Sequence, residues 1–114
     1  MRRDPSYLLD MLSSARDAME FAAELTFHEF EQSLLHRNAI LKSIEIIGEA
    51  ASRLSDEIKE AHPEIEWRKI VGMRHHLVHG YFSVNNARVW QVVQNDLPVL
   101  ITQLEPIVPP EAEQ

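Results

Sequence analysis

The chain has no cysteine, few glycines and no long apolar run, and each absence excludes a class of protein. Without cysteine there are no disulfide bonds and no thiolate metal sites, which fits a reducing compartment and predicts a cytoplasmic location. Three glycines leave no glycine-rich loop that could cradle a phosphate group. No apolar stretch approaches the roughly 20 residues that cross a bilayer. The first residues also lack a signal-peptide core, so we expect neither membrane insertion nor export.

Acidic residues are missing from one long stretch of an otherwise acidic chain. The 114 residues carry a formal net charge of −7, which by itself argues against a nucleic-acid partner. Residues 67–95 nevertheless contain no aspartate or glutamate, while Arg68, Lys69, Arg74, Arg88 and three histidines lie among them. The other segments hold all 18 acids and 7 bases. Such a window can arise by chance, but it also predicts a local surface that attracts an anion.

Apolar residues recur at helical spacing along the chain, and no segment alternates as a strand does. The length suits one domain. The pattern predicts four helices: a first over residues 8–22, a second from about Thr26 to Ala61, a third from near Trp67 to Gly80, and a fourth that follows Asn86 and is kinked at Pro98. Four amphipathic helices with short connections are typical of an all-α antiparallel bundle.

The domain boundaries follow from the same pattern. Residues 1–105 are predicted to form the bundle, and the proline- and glutamate-rich residues 106–114 are predicted to be a disordered tail. The second helix carries more apolar surface than one small bundle covers, which predicts self-association as a homodimer.

One short segment combines side chains suited to phosphodiester chemistry. Arg74, His79 and Tyr81 form an R-x4-H-x-Y arrangement. Arginine is a permanent cation that matches phosphate oxygens, and histidine moves protons near neutral pH, so the pair needs no metal or cofactor. On a helical wheel Arg74 falls on the apolar face and requires a carboxylate or an anionic ligand. Glu45 and Glu49 are the candidate internal partners.

Several alternatives remain open at this point. Arg74 either pairs with Glu49 and only fixes the register of two helices, or it lies in a cleft and binds a phosphate. His79 is either a surface histidine at the end of a helix or a proton carrier whose protonated form the helix dipole favours. His75 and His79 have the i, i+4 spacing of a helical zinc site, although no third ligand is near in sequence.

Wheel geometry adds one further expectation. Arg74 and His79 are separated by about 140° around a helix and roughly 7.5 Å along it. One helix would therefore direct them poorly at a single phosphate. The spacing predicts a site assembled across two subunits.

Three stretches together resemble the HepT-like ribonuclease toxins, a branch of the HEPN superfamily. The main one runs from Trp67 to Phe82 and contains the R-x4-H-x-Y arrangement. The others are Ile46-Ile47-Gly48-Glu49-Ala50 on the second predicted helix, and Val89-Trp90 followed by Asp96-Leu97-Pro98 on the fourth. The resemblance covers nearly the whole chain. In many members an asparagine follows the arginine, where this chain has His75.

The resemblance implies a fold, an activity and a partner. Such proteins are homodimeric four-helix HEPN domains and metal-independent endoribonucleases that act as toxins on RNA. Arg74 and His79 would be the catalytic pair at the dimer cleft, with His75, Glu49 and Arg68 as possible auxiliary residues. A minimal nucleotidyltransferase antitoxin would transfer AMP from ATP to Tyr81. The alternative is a catalytically silent HEPN-type module that binds nucleic acid or protein.

Overall fold

The computed structural model describes residues 3–79 and 83–110, with the side chains of His76, Val78 and His79 outside that description. Within these ranges the chain is an all-α bundle, as predicted. Its elements in chain order are α1 (Asp4–Ala22), α2 (Phe27–Gln32), α3 (Leu34–Ser52), α4 (Asp56–Ala61), α5 (Trp67–Leu77), the short strands β1 (Val78–His79) and β2 (Ser83–Val84), α6 (Asn86–Gln91), a π-helical turn (Val92–Asp96) and α7 (Leu97–Leu104).

The core lies where the apolar faces of the long helices meet. α1 packs mainly on α3 and on α7, and α3 packs on α5. Small side chains on α1 let these helices approach closely, and large aliphatic side chains from α3 fill the space between them. The most deeply buried residues of α1 and α3 are Met11, Leu12, Ala15, Ala18, Ile40, Ile44, Ile47 and Ala51. In the described part of the chain no helix combines the length and apolarity that a membrane crossing requires.

The single helix predicted from Thr26 to Ala61 is wrong, because it consists of three helices. The first break is at Ser33, whose backbone is extended (φ −106°, ψ 104°) and whose hydroxyl accepts from the His36 N–H. The second follows α3, where Ser55 caps α4. Serine and threonine side chains accept hydrogen bonds from the free N–H groups at the start of a helix. The free-energy cost of interrupting the helix is therefore small. The apolar periodicity continues across them, which hides them in the sequence.

Two of these caps tie the short helices to the bundle. Thr26 caps α2 in a reciprocal box with Glu29, and its hydrogen bonds lower the pKa of the Glu29 carboxyl. Ser55 donates from its backbone N–H and its hydroxyl to the two carboxylate oxygens of Asp4, at 3.0 and 2.5 Å. The start of α1 therefore lies beside the end of α3, which makes the two helices antiparallel.

The predicted end of the third helix at Gly80 is also wrong. α5 ends at Leu77, and the next two residues form β1, which pairs antiparallel with β2. The pairs are Val78 with Val84 and His79 with Ser83. The Leu77 carbonyl accepts from the Asn85 N–H at 2.8 Å, so the chain turns back instead of continuing the helix.

The last helix accommodates its proline through the π-helical turn. Pro98 cannot donate to the carbonyl of Gln94, and the wider turn over Val92–Asp96 comes directly before it, where we predicted a kink. Beyond α7, Val108 is buried and Ile107 packs against the core. The packed domain thus extends at least to residue 108, and the tail predicted to be disordered from residue 106 is wrong for these residues. Residues 111–114 lie outside the described part.

Candidate active site

The candidate site is built where α3 and α5 cross at Gly48. A Cβ atom on Gly48 would lie 3.4 Å from the Ile70 carbonyl oxygen and 3.5 Å from that of Val71. Because the residue has no side chain, the two helices approach closely here. Glu45 lies three residues earlier on α3, and Arg74 lies three to four residues later on antiparallel α5. The crossing therefore places these two side chains opposite each other.

Arg74 pairs with Glu45. Its Nε lies 2.5 Å from Glu45 Oε1, and the two side chains are 53% and 36% exposed. The pair is a charge-assisted contact at the rim of the bundle and not in its core. The prediction that Arg74 requires a carboxylate, with Glu45 as one candidate, is confirmed, and the long side chain leaves the apolar face of α5 to reach it. Because about half of the Arg74 side chain remains exposed, a ligand in the solvent can still reach the guanidinium.

Arg74 lies on an open groove of about 540 Å³ between α1, α3 and α5, which we call the front groove. Its charged residues are three bases (Lys42, Arg53, Arg74) and three acids (Asp10, Glu45, Glu49), and Tyr7 completes the α1 side. Sequence reasoning missed the parts played by Lys42 and Arg53. Lys42, Glu45, Glu49 and Arg53 follow one another at intervals of 3, 4 and 4 residues, which places them on one face of a helix. This spacing could have revealed the two bases.

Glu49 does not pair with Arg74. Its Oε1 accepts from Arg53 Nε at 2.9 Å, and Arg53 Nη2 lies at the same distance. This i, i+4 pair is more than half exposed, so its contribution to folding is small, about 0.3–0.5 kcal/mol. The alternative in which Glu49 holds Arg74 is therefore wrong, although both residues line the front groove.

His79 lies on β1, directly after α5, and not on the helix. The wheel argument that separates it from Arg74 by 140°, and the helix-dipole argument about its charge, therefore do not apply. The i, i+4 spacing proposed for a zinc site with His75 loses its basis for the same reason. The side chain of His79 and all of Tyr81 lie outside the described residues, so their catalytic and modification roles stay predictions.

The other two predicted auxiliary residues do not line the front groove. His75 is exposed on the last turns of α5. Arg68 is exposed near the start of α5 and lines a shallow depression with Glu66 and Trp67. It is six residues from Arg74, about 9 Å along the helix, and does not reach the front groove. Among the described side chains, no group of three histidines or carboxylates has the arrangement of a metal site.

These features define a class of protein. A helical bundle that presents an arginine on an open groove, in an R-x4-H-x-Y segment at the end of a helix, has the features expected of a HEPN-type protein. Residues 11–107 match the Ribonuclease HepT-like family model. The chain therefore belongs to the HepT-like ribonuclease family.

Similar proteins occur in archaea and bacteria. The chain is 35% identical over 104 residues to a protein of Thermococcus cleftensis named "Probable ribonuclease HepT", covering 91% of this chain and 94% of the relative. It is 33% identical over 100 residues to "Putative RNase MJ1380" of Methanocaldococcus jannaschii, covering 88% and 92% of the two chains. It is 32% identical over 111 residues to "Putative RNase TTE0752" of Caldanaerobacter subterraneus, covering 97% of this chain and 99% of the relative. No solved structure matches the chain.

Proposed function

We propose that this chain is the toxin of a type VII-like toxin–antitoxin pair and cuts RNA as a metal-independent endoribonuclease. Arg74 and His79 are the catalytic residues of a dimer cleft, and AMPylation of Tyr81 by a partner nucleotidyltransferase neutralises the enzyme. The observation that carries the proposal is the Arg74 guanidinium, which Glu45 holds by Nε at the edge of an open groove. Membership of the family supplies the class of activity.

The pairing suits a residue that must bind a phosphate. A guanidinium presents donors in a rigid fork, so fixing Nε orients the two terminal nitrogens as well. Held in this way, they can donate to the oxygens of the scissile phosphate as negative charge develops in the transition state. A side chain that is already oriented loses little conformational entropy when it binds the phosphate, whereas an arginine without a partner would lose more.

The proposed reaction needs one proton acceptor and one proton donor. The ribose 2′-OH gives its proton to one imidazole and attacks the neighbouring phosphorus atom. The bond to the 5′ oxygen breaks, and that oxygen takes a proton from a second, protonated imidazole. The products are a 2′,3′-cyclic phosphate and a 5′-hydroxyl. His79 from each of two subunits would supply the two imidazoles.

Exposed apolar residues near Arg74 support the dimer. Ile46 on α3 lines the front groove, and Val71 lies on α5, one turn before Arg74; each is 37% exposed. Apolar side chains beside a charged site are typical of surfaces that another protein covers. A second copy of the chain placed against this side would bring two R-x4-H segments together.

Replacing His79 tests the activity. In the presence of EDTA we expect the purified protein to cut total RNA, and His79→Ala to lower the rate about 10²- to 10⁴-fold, the usual size of an acid–base contribution. His28→Ala is the matched control, because His28 is an exposed histidine on α2. RNA that is bound but never cut by the wild-type protein would instead favour the catalytically silent binding module.

Replacing Tyr81 tests the neutralisation. Nucleotidyl transfer would join the Tyr81 phenol oxygen to the α-phosphate of ATP, with pyrophosphate as the leaving group. The added AMP is a bulky anion beside the phosphate site, where it would repel and obstruct RNA. We expect Tyr81→Phe to keep RNA cleavage but to resist the nucleotidyltransferase and ATP, with the mass of an AMP group absent from the intact protein. Tyr7→Phe is the control, since Tyr7 is a tyrosine that lines the front groove.

A further inference from the structure

A second groove lies on another side of α5, between this helix and the last helix, and we call it the rear groove. Two adjoining depressions of about 150 and 240 Å³ form it, and they share Lys69, Met73, Asn95 and Asp96. No residue lines both this groove and the front groove. Its floor is apolar, and its walls carry charged and amide side chains.

Two bases in the rear groove have no ion pair among the described residues. Lys69 and Arg88 are both exposed and line the same depression. Neither has an ion pair with any carboxylate in the described ranges, unlike Arg16, Arg53 and Arg74. Both belong to the acid-free stretch of residues 67–95. An unpaired cation in a groove is available to an external anion.

The polar groups between the bases match the other parts of a nucleotide. The amide side chains of Gln91 and Asn95 can donate to and accept from base edges. Among the described residues Asp96 is the one acid in that depression, and Glu66 lines the adjoining depression. Asp96 repels phosphate but accepts from a ribose hydroxyl or a base amino group. The π-helical turn carries Asn95 and Asp96 onto the wall, and π-helical turns are frequent at functional sites.

The rear groove also leads to the catalytic segment. Its inner end is lined by Leu77, the last residue of α5, which directly precedes β1 and His79. From Leu77 to Lys69 the groove follows eight residues of helix, about 12 Å. A strand cut beside β1 would therefore continue along this path.

We infer that the rear groove binds the single-stranded RNA that flanks the cleavage point, with Lys69 and Arg88 on two of its phosphates. The inference rests on the proposed ribonuclease function. Among the described residues no aromatic side chain lines the groove, so the contacts there are mainly electrostatic and binding should depend strongly on salt.

The test is RNA binding over a series of salt concentrations. The probe is a short fluorescein-labelled single-stranded RNA with 2′-O-methyl riboses, which lacks the attacking hydroxyl and stays intact. We expect Lys69→Ala/Arg88→Ala to weaken binding at least tenfold at low salt. The slope of log K against log salt should fall by about 1.4, or 0.7 for each lost phosphate contact on a single strand. Lys59→Ala on α4 is the matched control and should change neither quantity.

The outcomes separate this inference from the proposed function. Lys69→Arg/Arg88→Lys should keep the wild-type slope, which shows that charge and not packing is responsible. An unchanged slope in the double alanine variant, while the wild-type protein binds the probe and cuts ordinary RNA, overturns the rear groove alone. Wild-type protein that neither binds nor cuts RNA overturns the proposed function. A double alanine variant that binds RNA normally but escapes the nucleotidyltransferase would assign the groove to the partner protein and overturn the inference.

Discussion

The two sides of α5 treat positive charge in different ways. On the front side Arg74 forms an ion pair with Glu45 through its Nε. On the rear side Lys69 and Arg88 face a groove without an ion pair in the described ranges. A guanidinium paired with a carboxylate has a defined orientation, but part of its charge is neutralised. An unpaired cation attracts a phosphate more strongly but does not fix the orientation of that phosphate. The contrast indicates that orientation and attraction are assigned to different residues.

The charge of the front groove supports this division. Its three bases face three acids, so the groove has almost no net charge to attract RNA. The acids come from α1 and α3, because α5 itself has none. A site that binds RNA with such a balance needs bases from elsewhere. A second subunit could supply them, and so could the rear depression that holds Lys69 and Arg88, where two bases face the single described acid Asp96.

The largest expected effect separates the two sides by exchanging their bases. Arg74→Lys keeps the charge but loses the planar group that can contact Glu45 and a phosphate at the same time. We therefore expect kcat/KM for RNA cleavage to fall about 10- to 100-fold. This decrease is smaller than the one expected when a transition-state hydrogen-bond donor is removed completely. Lys69→Arg should change it by less than about twofold, since a phosphate bound through charge accepts either base. Similar losses in both variants, measured under the same conditions, would remove the distinction between the two sides.

A smaller effect is expected from Glu45→Gln, which keeps an acceptor for Arg74 but removes the negative charge. The guanidinium becomes less firmly held, and we expect kcat to fall about fivefold, the equivalent of about 1 kcal/mol. KM should fall as well, because a repulsive carboxylate leaves the groove. Separate values of kcat and KM, with Glu49→Gln as the neighbouring control, check this. A rise in kcat would mean that Glu45 competes with the phosphate and does not position Arg74.

The sequence predicted the bundle because burial of apolar faces dominates its energy. The stripes through Leu12 on α1 and Ile44 on α3 repeat at 3 and 4 residues, and both residues are buried. The breaks at Ser33 and Ser55 were not predicted, because a cap is one polar residue that satisfies a few N–H groups and leaves the stripe intact.

The sequence indicated some residues of the candidate site but not its geometry. The R-x4-H-x-Y spacing identified Arg74, and a helical wheel proposed two glutamates as partners. Which glutamate pairs depends on how α3 crosses α5 at Gly48, a tertiary feature with no local signal. The end of α5 at Leu77 depends in the same way on the pairing of β1 with β2. Glycine at position 80 appeared to mark that end, but hairpin hydrogen bonds end the helix earlier.

The smallest expected effect tests whether the helix crossing maintains the front side. Alanine is the better helix former by up to about 1 kcal/mol. Gly72→Ala adds a methyl group that meets nothing within 4 Å, and we expect the free energy of unfolding to rise by about 0.5–1 kcal/mol. Gly48→Ala gains the same propensity but meets the Ile70 carbonyl at 3.4 Å, so its net change should be near zero and its cleavage rate should fall slightly as Glu45 moves from Arg74. Thermal and urea unfolding beside cleavage assays measure both. If the wild-type protein gains stability as the protein concentration is raised and Gly72→Ala gains less, the surface at that glycine is covered by a second subunit.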